Sequence, residues 1–216
     1  MEEKELYAQM EKCGVVPVIA IESPDMSLPL ADALIEGGLP VAEITFRTAA
    51  AAEVIKKLKK ERPQLFLGAG TILSVENLVQ AKEAGAVFGV APGLNPQIVK
   101  KAVDIGFPFF PGVMTPSEID QGLSYGLKVL KFFPSEASGG TSMLKAVSTP
   151  FGHLGVRFLP TGGINIKNLE DYLKMPQVIA CGGTWIAKKD VISAGNWDEI
   201  RKNAANVAEV VKRIRG

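Results

Sequence analysis

The sequence predicts an α/β protein that folds as a (β/α)8 TIM barrel with an extra N-terminal helix, and three observations support this fold class. Eight short apolar segments alternate with amphipathic helical segments, which is typical of a parallel sheet covered by helices. Eight units in 216 residues average 216/8 = 27 residues each, enough for a compact barrel. No linker or low-complexity stretch interrupts the pattern, so residues 1–216 are expected to form one domain.

The predicted strands are short and mostly apolar, and each ends in a polar or glycine-rich loop. In chain order they are Val15–Ile21, Val41–Arg47, Leu65–Gly70, Ala86–Val90, Phe107–Pro111, Leu127–Phe133, Val156–Pro160 and Val178–Cys181. A doubly wound open sheet is the alternative fold. It would require a Gly-x-Gly-x-x-Gly phosphate loop near the first strand, and the chain has none there.

Helical periodicity and capping residues define the segments between the strands. The apolar spacing predicts helices over Glu2–Lys12, Ala49–Glu61 and Asp198–Arg215. Ser74 and Thr115 are predicted N-caps, the latter within a capping box completed by Glu118. Four glycines are expected to end helices in the left-handed conformation, namely Gly38, Gly85, Gly106 and Gly126.

Composition excludes several classes of function. The 24 basic and 23 acidic residues leave a net charge of +1, with no basic block that would bind nucleic acid. No apolar run approaches the roughly 18 residues of a membrane span, and the charged N-terminus does not resemble a secretory signal. The two cysteines, Cys13 and Cys181, form no disulfide framework. These features predict a cytoplasmic protein.

The single histidine, His153, restricts the chemistry. Zinc sites that use two or three histidines are impossible, and no nucleophile motif accompanies His153. We therefore expect an exposed loop histidine, no metal and no cofactor. Proton transfer would fall to carboxyl groups, lysine or water.

Lys131 is the most unusual residue of the sequence, because it lies in the apolar run Leu127–Pro134. On a strand it shares one face with Phe133. Removing an amine from water favours its neutral form, which can attack a carbonyl and form a Schiff base. The structural alternative is a lysine that extends to solvent from a strand end.

The second predicted strand places three polar side chains, Glu43, Thr45 and Arg47, on one face. Burying them is costly unless they are paired or used. Glu43 is a candidate acid/base, and Arg47 is a candidate clamp for a carboxylate. The alternative is a structural Glu43–Arg47 ion pair.

Other strand ends supply candidate binding residues. Thr71 can donate to a carboxylate, although a helix N-cap is an equal alternative, and Pro92, Phe133 and Thr161 are expected to line the pocket. The last two strands end in glycine pairs, where barrels of this type commonly bind phosphate. Two plain turns are the alternative there. The candidate phosphate contacts are Gly162, Gly163, Gly183 and Thr184.

Together these residues predict Schiff-base cleavage of a phosphorylated 2-keto acid. The sequence also resembles the KDPG/KHG aldolases over nearly its whole length. The matching motifs are Val15-Val-Pro-Val-Ile19, Glu43-Ile-Thr-Phe-Arg47-Thr48, Gly68-Ala-Gly-Thr71, Pro92-Gly93, Pro111-Gly112, Lys131-Phe-Phe-Pro134, Pro160-Thr-Gly-Gly163 and Gly182-Gly-Thr184-Trp185. Ala91 and Thr184 depart from the serine that many relatives carry at these positions.

The resemblance implies a homotrimeric TIM barrel that cleaves 2-keto-3-deoxy-6-phosphogluconate or 4-hydroxy-2-oxoglutarate. It makes Lys131 the Schiff-base lysine and Glu43 the proton carrier. It places the pyruvate carboxylate at Arg47 and Thr71. Three alternatives stay open, namely the epimeric 6-phosphogalactonate substrate, a phosphate-binding isomerase or epimerase, and a non-catalytic trimeric barrel.

Overall fold

The computed structural model describes residues 2–216 and shows a curved parallel β-sheet surrounded by helices. The strands in this part of the chain are β1 Val15–Ile19, β2 Val41–Thr45, β3 Phe66–Gly70, β4 Phe88–Val90, β5 Phe109–Phe110, β6 Gly112–Val113, β7 Val129–Phe132, β8 Arg157–Pro160 and β9 Cys181–Gly183. They form a six-stranded sheet of order β5-β4-β3-β2-β1-β9 and a three-stranded sheet of order β6-β7-β8. All of these pairings are parallel.

The α-helices are α1 Glu3–Cys13, α2 Ser27–Glu36, α3 Ala51–Glu61, α4 Val75–Ala84, α5 Pro96–Asp104, α6 Pro116–Ser124, α7 Gly140–Ser148, α8 Leu169–Leu173, α9 Lys189–Ser193 and α10 Trp197–Arg215. Three 3₁₀ turns cover Pro24–Met26, Glu136–Ser138 and Thr149–Leu154. None of the helices within residues 2–216 is long and apolar enough to cross a membrane.

The predicted caps are confirmed. The Ser74 hydroxyl accepts a hydrogen bond from the Asn77 amide at the start of α4, and Thr115 and Glu118 form the capping box of α6. The four glycines expected in the left-handed conformation have φ between 61° and 101°. Local side-chain chemistry therefore marks these helix ends correctly.

Most predicted strands extend one or two residues beyond the observed ones at one or both ends, and two differ more. The predicted strand Phe107–Pro111 contributes only Phe109–Phe110 to β5, and β6 begins after Pro111, because proline has no N–H for the ladder. The predicted strand Val178–Cys181 contributes only Cys181 to β9, which continues through the glycine pair predicted to be a loop. Gly182 and Gly183 pair with β1, and Gly182 fits because a Cβ there would lie 2.3 Å from Thr161 Oγ1.

Aromatic side chains fill the interior beneath the carboxyl ends of the strands. The Phe88 ring lies 5.2 Å from the Phe66 centroid and 5.8 Å from the Phe110 centroid. Gly68 lacks a side chain there, since a Cβ would lie 2.2 Å from the Phe88 ring. Glu43 is paired with Gly68 and therefore shares its face of the sheet. The carboxylate is thus held above an apolar floor.

Candidate active site

A cavity of about 270 Å³ opens at the carboxyl ends of the strands and brings together every predicted site residue. Those residues are Lys131, Glu43, Arg47, Thr71, Pro92, Phe133, Thr161, Gly162, Gly163, Gly183 and Thr184. Val18, Ile164 and Gly182 also line the cavity, although none of the three was a candidate site residue. Apolar side chains such as Val18 and Ile164 carry no chemical signal in a sequence, so only the fold could place them here.

Lys131 is buried on β7, with 5% of its surface exposed, and does not extend to solvent. Its backbone N–H donates to Pro111 O at 2.9 Å, and it is paired with Gly112 and Leu159 on the flanking strands. These two contacts fix the strand and turn the side chain into the cavity. The amine Nζ lies 5.3 Å from the centroid of the Phe133 ring. Phe133 lies directly after β7, and both residues line the cavity, as expected for side chains on one face.

Glu43 is completely buried on β2, and its Oε1 lies 4.0 Å from Lys131 Nζ. Neither carboxylate oxygen has a hydrogen-bond partner among residues 2–216. Burial raises the pKa of Glu43, while the charges of Lys131 and Arg47 oppose this shift. A carboxyl group that is unpartnered and inclined to hold a proton can exchange it with a bound molecule.

Arg47 follows β2 at the mouth of the cavity, and its Nε donates to Thr45 Oγ1 at 3.1 Å. The buried Thr45 hydroxyl in turn donates to Ile19 O at 2.9 Å. Arg47 and Glu43 both lie within residues 2–216, and no salt bridge joins them. The structural ion pair that the sequence allowed is therefore not formed. The guanidinium is fixed through Nε and keeps its terminal nitrogens for an anion.

Thr71 follows β3 and has φ = 56°, in the left-handed region. This conformation is unusual for a β-branched residue and costs on the order of 1–3 kcal/mol. Such strain is found mainly where a residue is needed in a functional site. The N-cap of the next helix is Ser74, so the alternative role of Thr71 as a helix cap is excluded.

The glycine-rich ends of β8 and β9 form the opposite wall. Gly162 and Gly163 both have positive φ, at 100° and 82°. Thr184 is exposed at the rim, directly after β9. Within residues 2–216 the N–H groups of Gly162 and Gly163 donate no hydrogen bond, which leaves these two amides accessible to a ligand.

No set of three or more His, Cys, Asp or Glu side chains within residues 2–216 is close enough to hold a metal ion. His153 is exposed in the 3₁₀ turn Thr149–Leu154, not in a loop as predicted.

The family model described as KDPG and KHG aldolase matches residues 6–203. This chain belongs to the KDPG and KHG aldolase family. A relative within this family, 2-dehydro-3-deoxy-phosphogluconate aldolase of Haemophilus influenzae, is 46% identical over 209 residues, covering 97% of this chain and 98% of that protein. KHG/KDPG aldolase of Escherichia coli K12 is 43% identical over 198 residues, covering 92% of each chain.

Solved structures of KDPG aldolases share the fold. The crystal structure of KDPG aldolase from Legionella pneumophila superimposes with a TM-score of 0.89 at 39% identity. The superposition covers 94% of this chain and 97% of that one. That crystal contains pyruvate captured at low pH as a covalent carbinolamine intermediate.

Proposed function

We propose that this KDPG and KHG aldolase family member is a class I aldolase that cleaves 2-dehydro-3-deoxy-6-phosphogluconate to pyruvate and D-glyceraldehyde 3-phosphate. We propose that it also cleaves 4-hydroxy-2-oxoglutarate to pyruvate and glyoxylate. The observation that carries the proposal is the buried pair of Lys131 Nζ and Glu43 Oε1, 4.0 Å apart in one cavity. An amine beside an unpartnered acid is the pair of groups that Schiff-base chemistry requires.

In this mechanism Lys131 Nζ attacks the C2 carbonyl of the substrate and forms a carbinolamine, which loses water to become an iminium. Glu43, directly or through water, transfers the protons of these steps and takes the proton of the C4 hydroxyl. The C3–C4 bond then breaks, and its electron pair moves into the iminium as an enamine. Protonation at C3 and hydrolysis release pyruvate and restore the amine.

The position of each residue in the cavity supports the proposed binding roles. Arg47 and Thr71 hold the pyruvate carboxylate, while Pro92, Phe133 and Thr161 form the walls around the reacting carbons. Gly162, Gly163, Gly183 and Thr184 hold the phosphate. No step of this mechanism requires a metal or a cofactor.

Borohydride reduction in the presence of pyruvate tests the mechanism. Mass spectrometry should find the reduced adduct on Lys131, and Lys131→Met should lower turnover by at least about 10³-fold. Lys128→Met, which changes an exposed lysine of the same segment, is the control and should keep activity. Full turnover by Lys131→Met, or an unmodified Lys131, would support an isomerase or a non-catalytic barrel instead.

The preferred substrate is best settled by direct comparison. The 6-phosphogluconate and 6-phosphogalactonate derivatives differ in stereochemistry, and 4-hydroxy-2-oxoglutarate carries a different distal anion. The proposal expects the highest kcat/KM for the 6-phosphogluconate derivative. A higher value for the galactonate epimer would replace it as the substrate while leaving the Schiff-base chemistry unchanged.

We also propose that the curved sheet closes into one (β/α)8 barrel domain, with α1 as an extra helix before β1. Only Pro111 separates β5 from β6, so the two sheets are consecutive parts of one surface. Parallel bridges from Phe158 to Val178 and from Thr161 to Gly182 support closure on the other side. Closure leaves no open sheet edge to protect.

A homotrimer is proposed as the working assembly. Leu73, Val75 and Met114 are exposed apolar residues that follow β3 and β6, at the same end of the strands as the cavity. Exposed apolar side chains grouped at one end favour a contact with another copy. Light scattering coupled to gel filtration should give three times the chain mass, and a monomer would overturn the assembly. The cytoplasmic location stays a prediction of the sequence.

A further inference from the structure

We infer that Glu136, held in place by Tyr172, is a positioning residue that sets the affinity of this site for the phosphate end of its substrate. The inference rests on the proposed function, because it concerns the distal end of the same cavity. Neither residue lines the cavity itself. Each acts through the backbone of Gly162, Gly163 and Ile164.

Three consecutive backbone amides after β8, those of Gly162, Gly163 and Ile164, form what we call the amide nest. Within residues 2–216 none of these three N–H groups donates a hydrogen bond to another group. All three residues line the cavity. Consecutive free amides of this kind bind the oxygens of an anion.

The two carbonyls that precede the first two amides are held by the turn after β7. Ser135 N donates to Thr161 O at 2.8 Å, and Glu136 N donates to Gly162 O at 3.0 Å. In a planar trans peptide the C=O and the N–H point in opposite directions. Fixing each carbonyl on the side of the turn therefore directs the amides of Gly162 and Gly163 to the other side.

The carbonyl of Gly163, which precedes the third amide, is held by two side chains. Asn165 Nδ2 and Asn168 Nδ2 donate to Gly163 O at 3.2 Å and 3.3 Å. The Ile164 amide is thereby directed away from these asparagines. The orientation of the amide nest therefore depends on the groups behind it, and the Glu136 side chain also packs against Gly163.

Glu136 packs directly behind Gly163. A Cβ on Gly163 would lie 2.5 Å from Glu136 Cβ, so the two residues are in close contact. The Glu136 carboxylate accepts a hydrogen bond from the buried Tyr172 hydroxyl, which also lies 2.8 Å from Ser135 Oγ. Burial and the neighbouring Glu136 raise the pKa of Tyr172, so the phenol stays protonated and remains a donor.

The hydrogen bond from Tyr172 to Glu136 also keeps a negative charge away from the bound phosphate. A carboxylate beside an anion-binding backbone would repel phosphate if it were free to turn toward the ligand. The Tyr172 hydroxyl keeps the Glu136 carboxylate behind Gly163, outside the cavity lining. Loss of the hydroxyl would loosen the amide nest and release a negative charge next to it. Both effects act on phosphate and neither acts on Lys131.

The test compares aldehydes that differ only in the phosphate. Tyr172→Phe should raise KM for D-glyceraldehyde 3-phosphate in aldol addition to pyruvate by about tenfold, the effect of one lost buried hydrogen bond. KM for D-glyceraldehyde should change less than about twofold. Exchange of the pyruvate methyl protons in D₂O, followed by NMR, should also be unaffected because it needs no aldehyde. Glu136→Ala, a change at an exposed residue, removes the charge but also the packing behind Gly163, so it should raise the same KM by a smaller factor.

Two matched variants separate position from charge. Glu136→Gln keeps an oxygen that accepts from Tyr172 and should keep a low KM for the phosphorylated aldehyde. Ser135→Ala removes the other partner of Tyr172 but leaves the Tyr172–Glu136 bond, and should also keep it low.

Three results would overturn the inference. The first is an unchanged KM for the phosphorylated aldehyde in Tyr172→Phe and Glu136→Ala. The second is a fall in pyruvate proton exchange that parallels the rise in this KM. The third is a rise in this KM in Glu136→Gln equal to that in Tyr172→Phe. Absence of pyruvate proton exchange in the unmodified protein would instead reject the proposed function.

Discussion

At the scale of single residues, Glu43 combines complete burial with two carboxylate oxygens that no group in residues 2–216 satisfies. An unsatisfied buried carboxylate is expensive, and the chain keeps it beside Lys131 at 4.0 Å. The raised pKa of Glu43 is the physical consequence of this burial, against the opposing charges of Lys131 and Arg47. The buried carboxylate therefore lowers the stability of the fold, but it gives the site a group that can exchange protons.

The first residue-scale prediction concerns Glu43→Gln. Because the fold raises the pKa of Glu43, the folded chain keeps a proton that the unfolded chain releases near about pH 4.3. The stability from this preference is full below that pH and is lost as pH rises through the higher folded pKa. Glutamine does not titrate, so the free energy of unfolding of the variant should increase relative to that of the wild type as pH rises.

Urea denaturation of both proteins between about pH 4 and about pH 8 measures this difference, at about 1.4 kcal/mol per unit of pKa shift. The same variant should lose turnover by about 10²–10⁴-fold, because the proton carrier is missing. A stability difference that stays constant across this range would show that burial does not raise the pKa of Glu43.

Several residues of the site could be identified from the sequence because their chemistry conflicts with their surroundings. Lys131 lies in an apolar strand, and Glu43, Thr45 and Arg47 recur at a spacing of two along another. Glu136 and Tyr172 give no such signal. They are 36 residues apart and meet only because the turn after β7 packs against α8.

At the scale of elements, glycines on β3 make room for the side chains of the neighbouring strands. A Cβ on Gly70 would lie 2.0 Å from Glu43 Oε1 and 2.7 Å from Glu43 Cγ. Such an overlap cannot be relieved unless the Glu43 side chain leaves its position. The glycine at the end of β3 is thus a condition for the geometry of the acid on β2.

The element-scale prediction is that Gly70→Ala displaces the Glu43 carboxylate. Turnover should fall by about 100-fold or more, whereas the free energy of unfolding should fall by only about 1–3 kcal/mol. Steady-state kinetics and urea denaturation measure the two effects separately. Gly152→Ala is the control, because nothing lies within 4 Å of a Cβ built there. Unchanged turnover in Gly70→Ala would mean that the Glu43 position does not matter for catalysis.

Strand identity was easier to predict than strand extent. The alternation of apolar strands and helices identified the parallel sheet, and capping residues marked α4 and α6. The division at Pro111 and the pairing of Gly182 and Gly183 with β1 were missed. Glycine has a low strand propensity, so its pairing depends on how closely the neighbouring strand and Thr161 approach.

At the scale of the whole molecule, Arg215 ties the end of α10 to the amino ends of the strands, opposite the cavity. Its guanidinium donates to Val178 O at 2.8 Å, Ile179 O at 2.5 Å and Glu11 O at 3.2 Å. These carbonyls belong to the segment before β9 and to α1. One side chain thus connects both ends of the chain to the sheet.

The whole-molecule prediction is that Arg215→Met lowers the free energy of unfolding by about 2–4 kcal/mol, because charged donors to buried carbonyls are lost. The values of kcat and KM should not change, since the site lies at the other end of the strands. Arg213→Met removes an exposed arginine paired with Glu170 and should have little effect on stability. A loss of activity in the fully folded Arg215→Met protein would contradict this separation between the amino ends of the strands and the cavity.

The parallel α/β architecture, the helix caps and the chemical groups of the site could all be predicted from the sequence. These follow from periodicity, capping residues and charges placed in apolar strands, all of which are local in the chain. The 4.0 Å approach of Lys131 to Glu43, the hydrogen bond from Tyr172 to Glu136 and the position of Arg215 became evident only in the folded chain. Those contacts join residues far apart in sequence, and their distances depend on how the strands curve and the helices pack, which no local pattern encodes.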